Sequence, residues 1–250
     1  MKTVLIQVFE QQQSELERLE KLRFAADKNR ARFTEFARKA AYEKYPVKKV
    51  QKSAVLVPLV FNRDNELEVL LTVRHSKISL LHGEVCLPGG KFDRQDESVF
   101  ETATREAWEE IGLHAGNINV LFEFVSMLST RRKKIHVVHP IFALVKNSFY
   151  AKLNNHEVMD VFTVPLKVFC GKPEIKKMKL GWRQPCVSRP GVATNQKYET
   201  FGFTFCLLCV AANIMYGGAY FEDAMENVKN LSTEMYQLYL DLLRHSKSKL

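Results

Sequence analysis

The segment from Gly90 to Leu113 constrains this chain more than any other, because its residue types follow a fixed spacing that ends in clustered carboxylates. Glu106, Glu109 and Glu110 stand at positions i, i+3 and i+4, which share one face of a helix. Like charges this close repel each other, so a helix that carries them favours a bound cation. Hard carboxylate oxygens on a rigid element suit a divalent ion such as Mg²⁺, which in turn suits a phosphate substrate.

A Glu-x-x-Glu-Glu pattern by itself more often marks a solvated helix face than a metal site. Here the surrounding residues point to the metal site. A Pro88-Gly89-Gly90 loop precedes the pattern, Glu97 lies eight residues before Arg105, and Gly112 stands where a helix ends on a residue that tolerates left-handed geometry. So many fixed spacings together favour the metal site over the solvated face.

The whole pattern resembles the Nudix box, which reads glycine, five residues, glutamate, seven residues, Arg-Glu, an aliphatic residue, any residue, Glu-Glu, any residue, glycine and an aliphatic residue. Two positions depart from it. Six residues instead of five separate Gly90 from Glu97, and Ala107 fills the first aliphatic position.

Further segments look like the signature of one branch of that family, the Nudix coenzyme A diphosphatases. They cover residues 70–74, 83–93 and 102–106. His75 stands where this branch prefers a small residue, and His82 lies one place after a position at which many members have histidine. These departures bear on substrate contacts and leave the family resemblance intact.

The resemblance implies an α/β fold, a Nudix α/β/α sandwich with a mixed sheet, which we place at residues 49–245. Residues 1–48 are expected to form a charged helical extension, because residues 11–45 are rich in Glu, Lys, Arg, Ala and Gln with interspersed Leu and Phe. Residues 223–245 carry apolar side chains at near-helical spacing, which predicts a long amphipathic C-terminal helix. An exposed tail is expected at residues 246–250.

The apolar segments between these ends predict the strands and one core helix. Strands are expected at residues 53–61, 67–74, 85–87, 118–125 and 135–145, with a further strand end within residues 157–166. The uncharged run from Phe203 to Tyr216 predicts a core helix. Cys206 and Cys209 within it are therefore expected to be buried thiols and not a redox pair.

The resemblance also implies how the clustered carboxylates act. Glu106 and Glu110 are expected to bind Mg²⁺ or Mn²⁺, with the carbonyl of Gly90 completing the shell. Glu109 is either a third ligand or the base that activates water. Bound metal ions polarise phosphoryl oxygens and lower the pKa of bound water, so the expected hydrolysis needs no covalent intermediate.

Two further residues are expected to support the reaction. Arg105 is better placed to hold glutamates, Glu97 among them, than to bind substrate, because a planar guanidinium forks two carboxylates well. Glu157 lies in a segment that resembles the family's distal segment, so it is a candidate for the general base or a further ligand. An ordinary surface carboxylate is the alternative for Glu157.

The expected reaction is hydrolysis of the diphosphate bond of coenzyme A or its thioesters to adenosine 3′,5′-bisphosphate and a 4′-phosphopantetheine product. The candidate substrate contacts are basic: Arg74, Arg131, Arg132, Lys133, Lys134 and the lysines of residues 176–179. A solvated basic loop is the alternative for both clusters. Two other functions stay open, namely a Nudix hydrolase of NADH, ADP-ribose or an RNA cap, and an inactive Nudix fold that binds RNA or a partner.

Charge and cysteine count set wider limits. The net charge of +9 favours polyanionic ligands but does not choose among nucleotides, RNA and acidic membranes. An odd count of five cysteines, without paired spacing for zinc or disulfides, fits a reducing compartment. The histidines are scattered, and His82 and His156 are the two that flank family-like segments.

Neither a secretory signal nor a transmembrane span is expected. The apolar stretch of Met1–Glu10 is too short for a signal, and the run Phe203–Tyr216 is shorter than the roughly 20 residues that span a bilayer. The tripeptide Ser248-Lys249-Leu250 is of the kind read as a peroxisomal address. It predicts a peroxisomal location and binding to the import receptor, and peroxisomes handle acyl-CoA esters.

Overall fold

The computed structural model describes residues 17–27, 51–75, 83–124, 126–131, 134–146, 149–171, 174–177, 183–190 and 196–216. The strands of the larger sheet are β1 (Gln51–Phe61), β2 (Leu67–Arg74), β3 (Val85–Cys86), β4 (Gly89–Lys91), β5 (Ile118–Glu123), β6 (Met127–Arg131), β7 (Lys134–Val145) and β8 (Val158–Pro165). The smaller sheet contains β9 (Glu174–Lys177), β10 (Arg183–Pro190) and β11 (Lys197–Phe201). The α-helices are α1 (residues 17–27), α2 (Val99–Ile111) and α3 (Gly202–Tyr216), and 3₁₀ turns cover Ala115–Asn117 and Leu166–Cys170.

Strand β1 is central to the larger sheet because three strands pair with it. It runs parallel to β7 and antiparallel to β2 and β4. The main path of the sheet is β3-β2-β1-β7-β5, while β6 pairs with β7 and β8 pairs with β2. The sheet is therefore mixed, as predicted.

Both faces of β1 are covered, which explains why its sequence is almost continuously apolar. Ala54 and Leu56 belong to a buried cluster with residues of α2, whereas Val57 and Leu59 belong to a second cluster with residues of α3. One helix thus packs on each face of the sheet. This arrangement is the predicted α/β/α sandwich.

Helix α3 is apolar on all sides because it is enclosed, with residues 204–215 all buried. The core helix predicted for this run is confirmed. Burial raises the pKa of the Cys206 thiol to about 12 and raises that of Cys209 as well, so both thiols are chemically quiet. Among the described helices, none combines the length and apolar character needed to cross a membrane.

Helix α1, the described part of the N-terminal extension, packs against the domain. Leu19 and Leu22 contact the cluster on the α3 side of the sheet, and Ala26 is fully buried. The Arg23 guanidinium donates to the backbone carbonyl of Val120 in β5 at 2.8 Å. This segment therefore contributes to the domain core.

Six predicted strands agree with β1, β2, β3, β5, β7 and β8 to within two residues at each end. Strands β4 and β6 of the larger sheet were not predicted, and neither were the three strands of the smaller sheet. β4 has the sequence Gly-Gly-Lys and β6 has the sequence Met-Leu-Ser-Thr-Arg, so neither shows the apolar alternation that marks a half-buried strand. The helix predicted at residues 223–245 and the tail at residues 246–250 lie outside the described residues.

Candidate active site

Helix α2 begins and ends on residues suited to those positions. The Ser98 hydroxyl accepts the backbone N–H of Glu101 at 3.1 Å and caps the first turn. Gly112 ends the helix with a left-handed φ of 70°, as predicted, and its N–H closes the last turn. These two ends fix the register of the helix and therefore the directions of its glutamates.

The Gly89-Gly90 turn brings backbone directly against two glutamates. Gly89 has a φ of 153°, and a Cβ there would overlap the backbone of β1. A Cβ on Gly90 would overlap the carboxylate of Glu106. The N–H of Gly89 donates to Glu110 Oε2 at 3.3 Å. Gly89 thus allows the turn to lie against β1, and Gly90 allows the Glu106 carboxylate to lie against the turn.

The three glutamates of α2 differ in exposure. Glu110 is 3% exposed, whereas the side chains of Glu106 and Glu109 are 16% and 46% exposed. Burial raises the pKa of Glu110 to about 8 and also raises the pKa of Glu106. Arg74 opposes the rise at Glu110, while the charges of Glu106 and Glu157 add to it. The buried carboxylates therefore lack full compensation by protein cations, which favours binding of an additional cation.

All the N–H groups of Arg105 are hydrogen-bonded, to two glutamates of α2, to the last residue of β4 and to Asp96 in the loop that follows. Its Nη1 donates to Glu106 Oε1 at 3.0 Å and to Glu109 Oε2 at 3.3 Å. Its Nη2 donates to the carbonyl of Lys91 at 3.1 Å and to Asp96 Oδ2 at 3.0 Å, and its Nε donates to Asp96 Oδ1 at 2.9 Å. Arg105 thus bonds two of the glutamates of α2.

The prediction that Glu97 is also held by Arg105 is wrong, because Asp96 takes that place. The Asp96 carboxylate is buried and also accepts the Asp93 N–H at 2.9 Å and the Thr102 hydroxyl at 2.8 Å. The hydrogen bonds from Arg105 hold the pKa of Asp96 well below its usual range. Glu97 is exposed, and its backbone N–H bonds to the carboxylate of Glu101.

A sequence signal for Asp96 was present. Five residues separate Gly90 from Asp96, which is the box spacing counted from the glycine. Counting back from Arg105 and requiring a glutamate leads instead to Glu97. The buried carboxylate of Asp96, one residue farther from Arg105 in the chain, is the one that accepts from the guanidinium.

Glu157 lies beside the glutamates of α2 although it is far from them in the sequence. Its charge contributes to the raised pKa of both Glu106 and Glu110. Asn154 connects the two segments, because its backbone N–H donates to the Glu110 carbonyl at 3.0 Å and its amide donates to Glu157 Oε1 at 3.4 Å. The backbone carbonyl of Glu157 accepts the His75 N–H at 2.8 Å, which ties this segment to the end of β2.

Of the basic residues expected near the substrate, Arg74 is placed at the site, with its Nη2 4.0 Å from Glu110 Oε1. The backbones of Arg131 and Lys134 lie opposite each other where β6 pairs with β7. Several residues singled out in the sequence lie outside the described residues, namely the candidate contacts Arg132, Lys133 and Lys179, the histidine His82 and the targeting tripeptide Ser248-Lys249-Leu250. His156 is exposed, and its backbone N–H donates to the Asn154 side chain at 3.2 Å.

The donor set around Gly90 fits a hard divalent cation in an open site. Glu106 and Glu110 present carboxylate oxygens against the loop backbone, and burial disfavours their charge in the absence of a cation. In the described part of the chain, no three acidic, histidine or cysteine side chains converge into a complete metal cage. Mg²⁺ commonly binds through one or two carboxylates and keeps water and substrate phosphate oxygens as its other ligands. The geometry suits that mode of binding.

The family model of the NUDIX domain matches residues 50–181, which contain the larger sheet, α2 and Glu157. The chain is 35% identical over 173 residues to the Arabidopsis thaliana protein "Nudix hydrolase 15, mitochondrial", covering 67% of this chain and 60% of that one. It is 40% identical over 118 residues to the Mus musculus "Peroxisomal coenzyme A diphosphatase NUDT7", covering 47% of this chain and 48% of that one. It is 36% identical over 121 residues to the Caenorhabditis elegans "Peroxisomal coenzyme A diphosphatase ndx-8", covering 48% and 50%.

The chain spans about half the length of the two coenzyme A diphosphatases and 60% of the plant relative. The family match includes the residues that build the site, namely the Gly89-Gly90 turn, Arg105 and the three glutamates of α2. This protein belongs to the Nudix family.

Proposed function

We propose that this protein hydrolyses the diphosphate bond of coenzyme A or its thioesters, using Mg²⁺ or Mn²⁺. One observation carries the proposal: two glutamates of helix α2 in a Nudix domain, Glu106 and Glu110, contact the Gly89-Gly90 turn. The likeness to two proteins named coenzyme A diphosphatases supports the choice of substrate. The products are adenosine 3′,5′-bisphosphate and (acyl-)4′-phosphopantetheine.

The residues of the site have different roles in the proposed reaction. A bound divalent ion supplies polarisation of the phosphoryl oxygens and a more acidic water. Glu106 and Glu110 are its ligands in this proposal, with Glu109 and the Gly90 carbonyl as the remaining protein donors. Arg105 is a positioning residue, because its bonds to Glu106 and Glu109 restrict those two side chains.

Glu157 is our choice for the general base. The Glu109 carboxylate is engaged by the cationic Arg105 at 3.3 Å, whereas the Glu157 carboxylate receives a neutral amide donor, Asn154, at 3.4 Å. A general base must come within hydrogen-bond reach of the water that it deprotonates, and the Arg105 guanidinium already occupies one oxygen of Glu109. The charge of Glu157 also acts on Glu106 and Glu110, which supports a position near the same substrate.

Two other functions are tested by the same experiment. Purified protein is incubated with CoA, an acyl-CoA, dephospho-CoA, NADH, ADP-ribose and capped RNA, with Mg²⁺ or Mn²⁺, in ¹⁸O-labelled water, and the products are identified by mass spectrometry. The proposal expects fastest turnover of CoA or acyl-CoA and release of adenosine 3′,5′-bisphosphate. Faster turnover of another nucleotide contradicts the substrate while keeping the hydrolase, and no metal-dependent turnover at all favours an inactive binding module.

We also propose that the protein acts in peroxisomes through the import receptor. The tripeptide Ser248-Lys249-Leu250 and the two relatives named as peroxisomal support this location, although another relative is named as mitochondrial. The 250-residue chain imaged against a peroxisomal marker, beside a version lacking these three residues, tests this location. Loss of the punctate pattern on truncation is the expected result, and an unchanged pattern contradicts the role of the tripeptide.

A further inference from the structure

Two arginines flank the buried carboxylates, and their hydrogen bonding differs. Arg105 has every N–H group engaged by Asp96, Glu106, Glu109 or the Lys91 carbonyl. Arg74 ends β2 on the other side of Glu110, where the pairing register with β8 shifts between Val73 and Arg74. Its side chain is 17% exposed, and its Nε is buried.

The described residues offer few hydrogen-bond acceptors to the buried Arg74 guanidinium, while the charges of Glu110 and Glu84 act on it. Within the residues that the structure describes, its buried Nε has no hydrogen-bond acceptor. Its Nη2 lies 4.0 Å from Glu110 Oε1, which is an ion-pair distance and too long for a hydrogen bond. The thiol of Cys86 also contacts the guanidinium, and a thiol sulfur is a weak acceptor.

A charged donor that is buried without an acceptor is costly and is rarely left so in a native protein, unless a ligand completes it. The site of Arg74 indicates the class of that ligand. A guanidinium presents N–H groups in a planar fork that matches two oxygens of a phosphate. Neighbouring Glu110 and Glu106 would hold the divalent ion of the proposed function, which would also attract a phosphate to this place.

We propose that Arg74 binds the substrate's diphosphate, with its Nε–H and an Nη–H donating to non-bridging phosphate oxygens. This inference rests on the proposed function only in taking the substrate to be a diphosphate, and it holds for any nucleoside attached to it. Arg105 and Arg74 then have different roles. Arg105 positions protein carboxylates, and Arg74 binds the substrate.

The direct test observes the Nε–H of each arginine by ¹H–¹⁵N NMR while inorganic pyrophosphate is added in excess Mg²⁺. The Arg74 signal, assigned by its loss in Arg74→Lys, is expected to shift and to exchange more slowly with water at saturation. The Arg105 Nε–H serves as an internal control, because it already bonds Asp96 at 2.9 Å and is expected to stay in place. Saturation without any change at Arg74 would overturn the inference.

A binding measurement gives an independent readout. Calorimetry with inorganic pyrophosphate and Mg²⁺ is expected to show at least tenfold weaker binding for Arg74→Lys, because an ammonium cannot reproduce the fork. Arg94→Lys, at an exposed arginine of the loop after β4, is the matched control and should bind as the parent does. Equal affinity of Arg74→Lys and the parent contradicts the proposal.

These outcomes separate the inference from the substrate assignment. If the protein hydrolyses ADP-ribose in preference to CoA, the Arg74 response to pyrophosphate is still expected, and only the proposed substrate fails. If the protein hydrolyses CoA but Arg74 does not respond, only this inference fails. Should Arg74→Lys not fold, as judged by circular dichroism, the Nε–H measurement on the parent protein decides alone.

Discussion

Arg105 grips Asp96 through two parallel hydrogen bonds, Nε to Oδ1 at 2.9 Å and Nη2 to Oδ2 at 3.0 Å. The same guanidinium bonds Glu106 and Glu109 through its remaining nitrogen. In our proposal the Asp96 carboxylate contacts neither metal nor substrate. It orients the Arg105 guanidinium, which in turn bonds Glu106 and Glu109.

Replacing Asp96 by Asn is therefore expected to reduce turnover by about 10- to 100-fold, the usual effect of removing a partner that orients metal ligands. The reason is that the neutral amide keeps one acceptor oxygen but loses the charge that pairs with Arg105. Glu97→Gln is the matched control, because Glu97 is the neighbouring exposed carboxylate. Steady-state kinetics at saturating Mg²⁺ compares them. If Glu97→Gln loses more activity than Asp96→Asn, our assignment of the Arg105 partner is wrong.

Unfolding of the metal-free protein should depend on Glu110 in a defined direction of pH. Its folded pKa of about 8 lies above the ordinary value, so the folded state retains the proton that the unfolded state releases at lower pH. The stability contributed by the neutral group is present below the unfolded pKa and is lost as pH rises towards about 8. Glu110→Gln stays neutral, so it should unfold at higher temperature than the parent at pH 8 and similarly at pH 4, with chelator present. A lower melting temperature for the variant at pH 8 contradicts this account.

Gly90→Ala should lose most of its turnover rate but remain folded. The added methyl group overlaps the Glu106 carboxylate, so that side chain must leave its position against the loop. Gly116→Ala is a suitable control, because the Cβ there meets only the His114 ring, at 3.2 Å from Nδ1. Turnover and circular dichroism of both variants provide the comparison, and an active Gly90→Ala enzyme would show that the position of Glu106 is unimportant.

Leu22→Ala should destabilise the domain by about 1–2 kcal/mol, below the 2–5 kcal/mol typical of fully buried leucines, because Leu22 is only partly buried against the core. Lys21→Ala, on the exposed side of the same helix, should change stability little. Denaturant unfolding of the full chain measures both. Equal stability of the two variants would mean that helix α1 adds nothing to the core.

The elements that the sequence predicts well are those whose signal is local. The apolar runs of β1 and α3 show their burial directly, and the end of α2 is marked by Gly112. The cluster of Glu106, Glu109 and Glu110 follows from helical periodicity alone.

The remaining features depend on contacts between distant or crowded segments. No local pattern shows that Glu157 lies beside Glu110, since that depends on how β8 pairs with β2. The choice between Asp96 and Glu97 depends on the path of a single loop, which residue spacing leaves open by one position. The unsatisfied Nε of Arg74 is a property of packing and has no sequence signature.

The most direct test of the central claim is hydrolysis of CoA by the parent and by Glu110→Gln at saturating Mg²⁺, with Glu66→Gln as an exposed control remote from the site. Our account predicts adenosine 3′,5′-bisphosphate from the parent and the control, no product after chelation, and a rate lower by about a hundredfold or more for Glu110→Gln, as expected for losing a main electrostatic group. A Glu110→Gln rate equal to that of the parent would contradict the account.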